Sequence, residues 1–367
     1  MSTTSAVVDI HAHVFPTGLP DLSGDSMDPR WPRLVTEPES GRIMCGQRTF
    51  RQVRPALWDV AGRLAELDAG GVGRQLVSPV PVALVYWAQP GPALDFARHL
   101  NDGIAQQVAE SRGRLVGLGA VPLQDVDAAI AELTRIVTEL NLAGAEIGTV
   151  IEGRELDDPE LRPFFAAAER LDAILFVHPM DGGTGVVRRS SWLYDFAVGM
   201  LTDTAIAAGS LVFGGVLEDH PNLRIVLAHG CGSYAWVYPR LRLGAQTAGA
   251  DDPNLFDDLT RKLWVDALVF DPTHLPLLVH RFGADHVMVG TDHPFVPGQL
   301  TAVPGVVRTA AARGSIDSDT AAGILSRMPI CFCTKVSPGS RRSSRALRVK
   351  LRNSSAVGMW TSYRWHT

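Results

Sequence analysis

Eight short apolar runs, helix-patterned segments between them, and His or Asp residues closing four of the runs predict an α/β protein. The predicted architecture is one (β/α)8 TIM barrel with a long insertion after strand 1. The runs fall at residues 7–13, 74–80, 115–121, 144–149, 174–178, 224–229, 263–268 and 287–292. Strand and helix alternating eight times is the pattern of a parallel barrel, a fold that accommodates about 250 residues or more as one domain.

In chain order, run 7–13 is apolar and β-branched up to Ile10 and then turns to histidine. Residues 15–55 carry Pro, Gly and Arg in place of periodic apolar residues, and a connection of that length reads as a lid or binding insertion. Segments 58–69, 92–110, 126–140, 159–171 and 272–282 repeat apolar residues at i, i+3 and i+4, as Leu161, Phe164, Phe165 and Ala168 do. They are the helices expected to cover the barrel. The runs between and after them have the length and β-branched content of strands buried on both faces, and no linker divides them.

With 367 residues, 46% of them hydrophobic and 20% charged, the chain can bury a sizeable core, and disorder is excluded for most of it. No apolar run reaches the roughly 18 residues of a membrane helix, and residues 1–9 carry neither a basic nor an apolar leader. Four cysteines do not make a disulfide framework. A cytoplasmic enzyme is expected. The net charge of −5 is a sum of two unlike parts. Residues 328–367 hold eight basic residues and no Asp or Glu, which leaves 26 basic against 39 acidic groups, a charge of −13, in residues 1–327. The tail is Ser-rich and shows neither helical nor strand periodicity.

Four polar motifs end four different runs: Asp9-Ile10-His11-Ala12-His13, Phe176-Val177-His178-Pro179, Leu227-Ala228-His229-Gly230 and Gly290-Thr291-Asp292-His293-Pro294. The carboxyl ends of barrel strands converge on one face, where active sites are built. In a strand, residues i and i+2 point the same way, so His11 and His13 offer two imidazoles to one metal. His178 adds a third nitrogen and Asp292 a carboxylate. This set suits Zn2+, with Fe2+, Co2+ and Mn2+ as alternatives. His229 is surplus to a mononuclear site, either a fifth ligand or a general acid or base. Glu146 ends the fourth run, as a bridging ligand of a two-metal site or, with greater weight, an orienting or surface carboxylate. A protein site brings the pKa of zinc-bound water from about 9 to about 7, worth roughly 3 kcal/mol. That chemistry serves hydrolysis and decarboxylation alike.

The ligand pattern resembles the amidohydrolase superfamily and, within it, the 2-amino-3-carboxymuconate-6-semialdehyde decarboxylase family. The likeness runs from about Val8 to Arg327 and includes Thr49-Phe50-Arg51-Gln52-Val53, Tyr86-Trp87-Ala88, Ile147-Gly148-Thr149 and Val198-Gly199-Met200 besides the four motifs. It implies a barrel with one Zn2+ per subunit held by His11, His13, His178 and Asp292. His229 would be the catalytic histidine that activates water. Arg51 would bind a substrate carboxylate, and Arg240 would be supplied to the partner's site across a homodimer. The implied activity is non-oxidative decarboxylation of a small dicarboxylate on tryptophan (kynurenine) or nitroaromatic degradation routes, with no nucleic acid or membrane partner. Two residues depart from the family pattern: His293 stands where a Tyr usually follows the ligand Asp, and Cys231 where a Gly is usual. His293 is a candidate extra ligand or substrate contact, and Cys231 a candidate for narrowing the pocket floor.

The family's Asn-Ala ending and short Leu-rich helix do not follow Arg327. Reading the codons of residues 328–334 one base earlier forces Ala at the second place and Leu at the sixth, and allows Asn-Ala-His-Leu-Leu-Leu-His. The expected organisation is therefore a barrel over 1–327 and an anomalous basic tail over 328–367, frameshifted and disordered. Two other functions compete with decarboxylation. One is a zinc amidohydrolase or lactonase acting on a small dicarboxylate; the other is an inactive product whose basic tail binds polyanions.

Overall fold

A computed structural model describes residues 6–23, 28–180, 186–250 and 252–328. The expected tail, apart from Met328, lies outside the described residues.

Fifteen strands occur among the described residues: β1 (Val7–Asp9), β2 (His13–Val14), β3 (Pro32–Thr36), β4 (Gly41–Cys45), β5 (Arg48–Val53), β6 (Val72–Pro79), β7 (Leu115–Gly117), β8 (Gly119–Ala120), β9 (Gly144–Gly148), β10 (Val150–Ile151), β11 (Arg154–Glu155), β12 (Ile174–His178), β13 (Arg224–Leu227), β14 (Trp264–Asp266) and β15 (Val287–Met288). Parallel ladders join β1 and β2 to β6, β6 to β7, β8 to β9, and then β12, β13, β14 and β15 in turn. β1 with β2, and β7 with β8, are single barrel strands interrupted in the middle, so the ladders pass through eight strand positions in sequence order. The last position returns to the first through Ile10 N–H donating to Val289 O (2.8 Å) and His13 N–H to His293 O (2.8 Å). The expected TIM barrel is the fold, and all eight expected strands are in place.

The helices form where apolar periodicity and caps coincide. Val60–Gly70 opens with Asp59 accepting from Gly62 N–H, Val126–Thr138 with Asp125 accepting from Ala128 N–H, and Ser318–Ser326 with Asp317 accepting from Thr320 N–H. Each such cap contributes about 1 kcal/mol. Pro90–Glu110, Arg162–Arg170 and Leu275–Phe282 match the other expected helices. Val8, Ile10, Leu76, Leu118, Phe176, Val226 and Met288 belong to an inner buried cluster contributed by the barrel strands. A larger cluster lies between the strands and the helices.

The insertion is itself structured. β3, β4 and β5 pair antiparallel, with Ile43 opposite Arg51, and this sheet carries Arg51. One helical stretch corrects the expectation that nothing is long and apolar enough to span a membrane. Trp192–Phe213 has 22 residues, and an 18-residue window within it has a mean hydropathy of 1.6 and is 44% buried. Its Ala205, Ala207, Ala208, Leu211 and Val212 are core residues.

Candidate metal centre

His11, His13, His178 and Asp292 come together at the carboxyl ends of their strands, each offering one donor atom, all within 4.8 Å of one another. His11 Nε2 and His13 Nε2 are 3.2 Å apart. Asp292 Oδ1 lies 3.2 Å from His13 Nε2 and 3.7 Å from His11 Nε2. The i, i+2 spacing thus aims both imidazoles of the first strand at one point, as strand geometry requires.

The opposite nitrogen of each ring is occupied. His13 Nδ1 donates to Pro79 O (2.8 Å), His178 Nδ1 to Pro179 O (2.7 Å) and His11 Nδ1 to the Asp266 carboxylate (2.7 Å). A proton held on Nδ1 leaves Nε2 with a free lone pair, the state in which histidine ligates a metal. His178 Nε2 and Asp292 Oδ1 are buried and have no hydrogen-bond partner. Three imidazoles and one carboxylate, with the inward atoms of His178 and Asp292 orphaned, fit a divalent cation of the Zn2+ or Mn2+ type.

The electrostatics agree for His13, His178 and Asp292, whereas at His11 burial is outweighed by the hydrogen bond and charge of Asp266, which raise the ring to about 9, so a bound cation displaces its Nε2 proton. Burial raises the Asp292 carboxyl, but the close His13 ring and the nearby His11 and His229 imidazoles outweigh it and hold the group far below the ordinary carboxylate range. Burial lowers His13 and drives His178 well below its ordinary value. His229 is lowered to about 4, by burial first and His11 second, against the opposing pull of Asp266 and Asp292. It is therefore a neutral base at pH 7. Its ring centroid is 5.0 Å from that of His178 and 5.3 Å from that of His11, and its Nδ1 is buried without a partner. His229 lines a cavity of about 150 Å3 together with Asp292, Phe196, Met200, Leu268 and Phe270.

Arg51 lies at the edge of this constellation, its guanidinium 4.5 Å from the ring centre of Phe295 and 5.4 Å from that of Trp192. It makes no hydrogen bond among the described residues, so its fork is free to take a carboxylate. Arg240 is exposed on the helix Tyr234–Thr247 and does not line its own chain's cavity. Glu146 is fully buried rather than at the surface, with Oε2 3.6 Å from His13 Nδ1. Burial pushes it up to about 8 and keeps it protonated at pH 7. His293 stands outside the four-donor group, because its Nε2 turns away to Glu66 Oε2 (2.9 Å). Cys231 is buried and does not line the cavity.

Sequence reasoning missed Asp266. An isolated acid inside the apolar Trp264-Val265-Asp266-Ala267-Leu268 run was its available signal, since a carboxylate there must find donors. It also missed the cavity wall formed by Phe196 and Phe270.

Comparison with known proteins accords with this architecture. The amidohydrolase family model matches residues 8–324. A 2-amino-3-carboxymuconate-6-semialdehyde decarboxylase of Dictyostelium discoideum is 37% identical over 306 residues, covering 82% of this chain and 84% of that protein. A gamma-resorcylate decarboxylase of Rhodococcus jostii (strain RHA1) is 31% identical over 254 residues, covering 64% of this chain and 76% of the relative. The crystal structure of a 5-carboxyvanillate decarboxylase from Sphingomonas paucimobilis superposes with a TM-score of 0.71 at 25% identity, covering 87% of this chain and 96% of that one. With the family match spanning nearly the whole described barrel and these relatives all carboxy-lyases, the chain belongs to the amidohydrolase family and to its decarboxylases.

Proposed function

We propose that the protein is a zinc-dependent, non-oxidative decarboxylase of 2-amino-3-carboxymuconate 6-semialdehyde or a closely similar unsaturated or aromatic acid, on a tryptophan or nitroaromatic degradation route. The observation that carries the metal-dependent part is the set of three buried histidines whose Nδ1 atoms are all engaged while their Nε2 atoms gather beside Asp292. The 37% identical Dictyostelium relative supports the substrate.

In this reading His11, His13, His178 and Asp292 hold the metal, which supplies Lewis acidity and activates water at neutral pH. Arg51 takes a substrate carboxylate in its free fork, and its contact with Phe295 fixes the plane of the guanidinium. The apolar cavity wall of Phe196, Met200, Leu268 and Phe270 seats the unsaturated skeleton and excludes bulk water. Neutral His229 accepts a proton from water at its unpartnered Nδ1 and returns it to the substrate carbon. The bond from that carbon to the departing carboxylate breaks, its electron pair forms the new C–H bond, CO2 leaves, and the hydroxide left by the water is reprotonated from solvent. Proton uptake and CO2 loss balance without an oxidant.

The reading includes a homodimer. Trp192, Leu193, Trp236 and Leu243 are exposed, and Trp236, Arg240 and Leu243 recur at the i, i+4, i+7 spacing of one helix face. A second copy that covers this face would bring Arg240 to the neighbouring site and cover apolar side chains that otherwise meet water.

The decisive experiment measures CO2 release from freshly generated 2-amino-3-carboxymuconate semialdehyde and metal content on the same sample. Turnover that tracks one zinc per chain is expected. Ring opening of a lactone substrate without CO2 would move the assignment to a hydrolase.

A further inference from the structure

We infer that Asp266 is a positioning residue that couples the metal site to the proton-transferring histidine, one carboxylate fixing both at once. The inference rests on the reading of the metal centre above and extends it to a residue outside the four donors.

Asp266 ends β14, is fully buried, and accepts four hydrogen bonds. Oδ2 accepts from His11 Nδ1 (2.7 Å) and from the backbone N–H of His229 (2.8 Å). Oδ1 accepts from the N–H groups of Gly230 (2.9 Å) and Leu268 (2.9 Å). The two donors on Oδ2 belong to a proposed metal ligand and to the proposed base. A shift of that one oxygen moves both.

The backbone around His229 explains why the anchor is needed. His229, Gly230, Cys231 and Gly232 follow one another at φ values of 56°, 63°, 64° and 57°. For His229 and Cys231 this left-handed conformation is strained, because an L side chain crowds its own backbone there. The turn lifts the His229 ring over the cluster and aims two successive N–H groups back at Asp266. Strain of this kind persists only where surrounding bonds overdetermine the conformation.

Gly290 makes the approach of the two strands feasible. A Cβ there would lie 2.6 Å from Asp266 Cβ and 2.7 Å from His11 Cβ, so a side chain at 290 would wedge the pair apart. The same carboxylate sets the tautomer of His11. An acceptor at 2.7 Å keeps the proton on Nδ1 and the lone pair of Nε2 toward the cluster.

Asp266→Asn tests the coupling at nearly constant volume. Its single carbonyl oxygen cannot serve four donors spread over two oxygens, and its NH2 would face N–H groups. Zinc and cobalt affinities are measured by competition with a chelating dye, and steady-state rates are then taken at saturating metal. Metal affinity should fall about 10- to 100-fold. With the metal restored, kcat should stay down on the order of 100-fold, since His229 is misplaced, while KM moves little.

Wild-type metal affinity and kcat in Asp266→Asn would overturn the inference, as would a kcat fully recovered by saturating metal, because Asp266 would then act on the metal alone. Wild-type protein that binds no metal would overturn the reading of the site and the coupling with it. A measurement on the unaltered chain covers the case in which the variant fails to fold. In 15N-histidine spectra of zinc-loaded wild-type protein, His11 should carry its proton on Nδ1. A proton on Nε2 refutes the coupling.

Discussion

Replacement of His229 by alanine separates proton transfer from metal binding. The four-donor cluster is complete without His229, so zinc content should change by less than about twofold. The neutral ring beside the cluster is the proposed proton carrier, and burial keeps it unprotonated down to about pH 4. Positioned acid–base groups of this kind contribute about 10²- to 10⁴-fold, or roughly 3–5 kcal/mol of barrier. The expected result is a loss of kcat in that range with KM little changed. Both quantities come from one preparation, with CO2 release followed under substrate saturation and metal counted by mass spectrometry. Retention of kcat within a few-fold would refute the role assigned to His229. A parallel loss of zinc and rate would make it a fifth ligand instead.

Other outcomes follow from the same geometry. Glu146 has an ordinary value of 4.5 raised to about 8 by burial, so in the metal-free protein its carboxyl favours folding below pH 4.5 and progressively loses that contribution as pH rises to 8. Glu146→Gln should therefore gain on wild type by roughly 4 kcal/mol between pH 5 and pH 9 in urea melts of metal-free protein; a pH-independent difference refutes this. Arg51→Lys keeps the charge but loses the planar fork over Phe295, and KM should rise about 10- to 100-fold with a smaller change in kcat. Mixing Arg240→Ala with His229→Ala chains, each inactive alone, should restore about a quarter of wild-type sites if Arg240 acts across a twofold interface. No recovery after subunit exchange argues for a site complete within one chain. Chelation should abolish turnover and lower the thermal midpoint, since metal at 100 times its Kd stabilises by about 2.7 kcal/mol; an unchanged midpoint counts against the site.

The barrel strands were legible because each is a short β-branched run closed by polar residues. His11, His13, His178 and Asp292 were legible because strand ends in this fold share one face. The insertion sheet was not: β5 is exposed along most of its length, so no buried face imposed an alternation. The helix Met200–Phe213 carries apolar residues around much of its circumference and gave no amphipathic stripe, and Pro239 lies inside Tyr234–Thr247 and reads as a break. Asp266 was invisible for a different reason. Its partner His11 is 255 positions away, and only the closure of the barrel brings strands one and seven together. Arg51 came from family likeness; nothing in its local pattern distinguishes it from a solvated charge.

The insertion sheet has a consequence for how such enzymes diversify. The proposed metal donors are rooted in strand ends of the barrel, where a change disturbs the core. Arg51 instead rides on β5, a graft joined to the barrel through the chain after β2 and before Val60–Gly70. With Arg51 as the proposed carboxylate-binding residue, recognition and reactivity are written on separate stretches of polypeptide. Selection can redraw the grafted sheet to suit a new acid while inheriting the reaction centre intact.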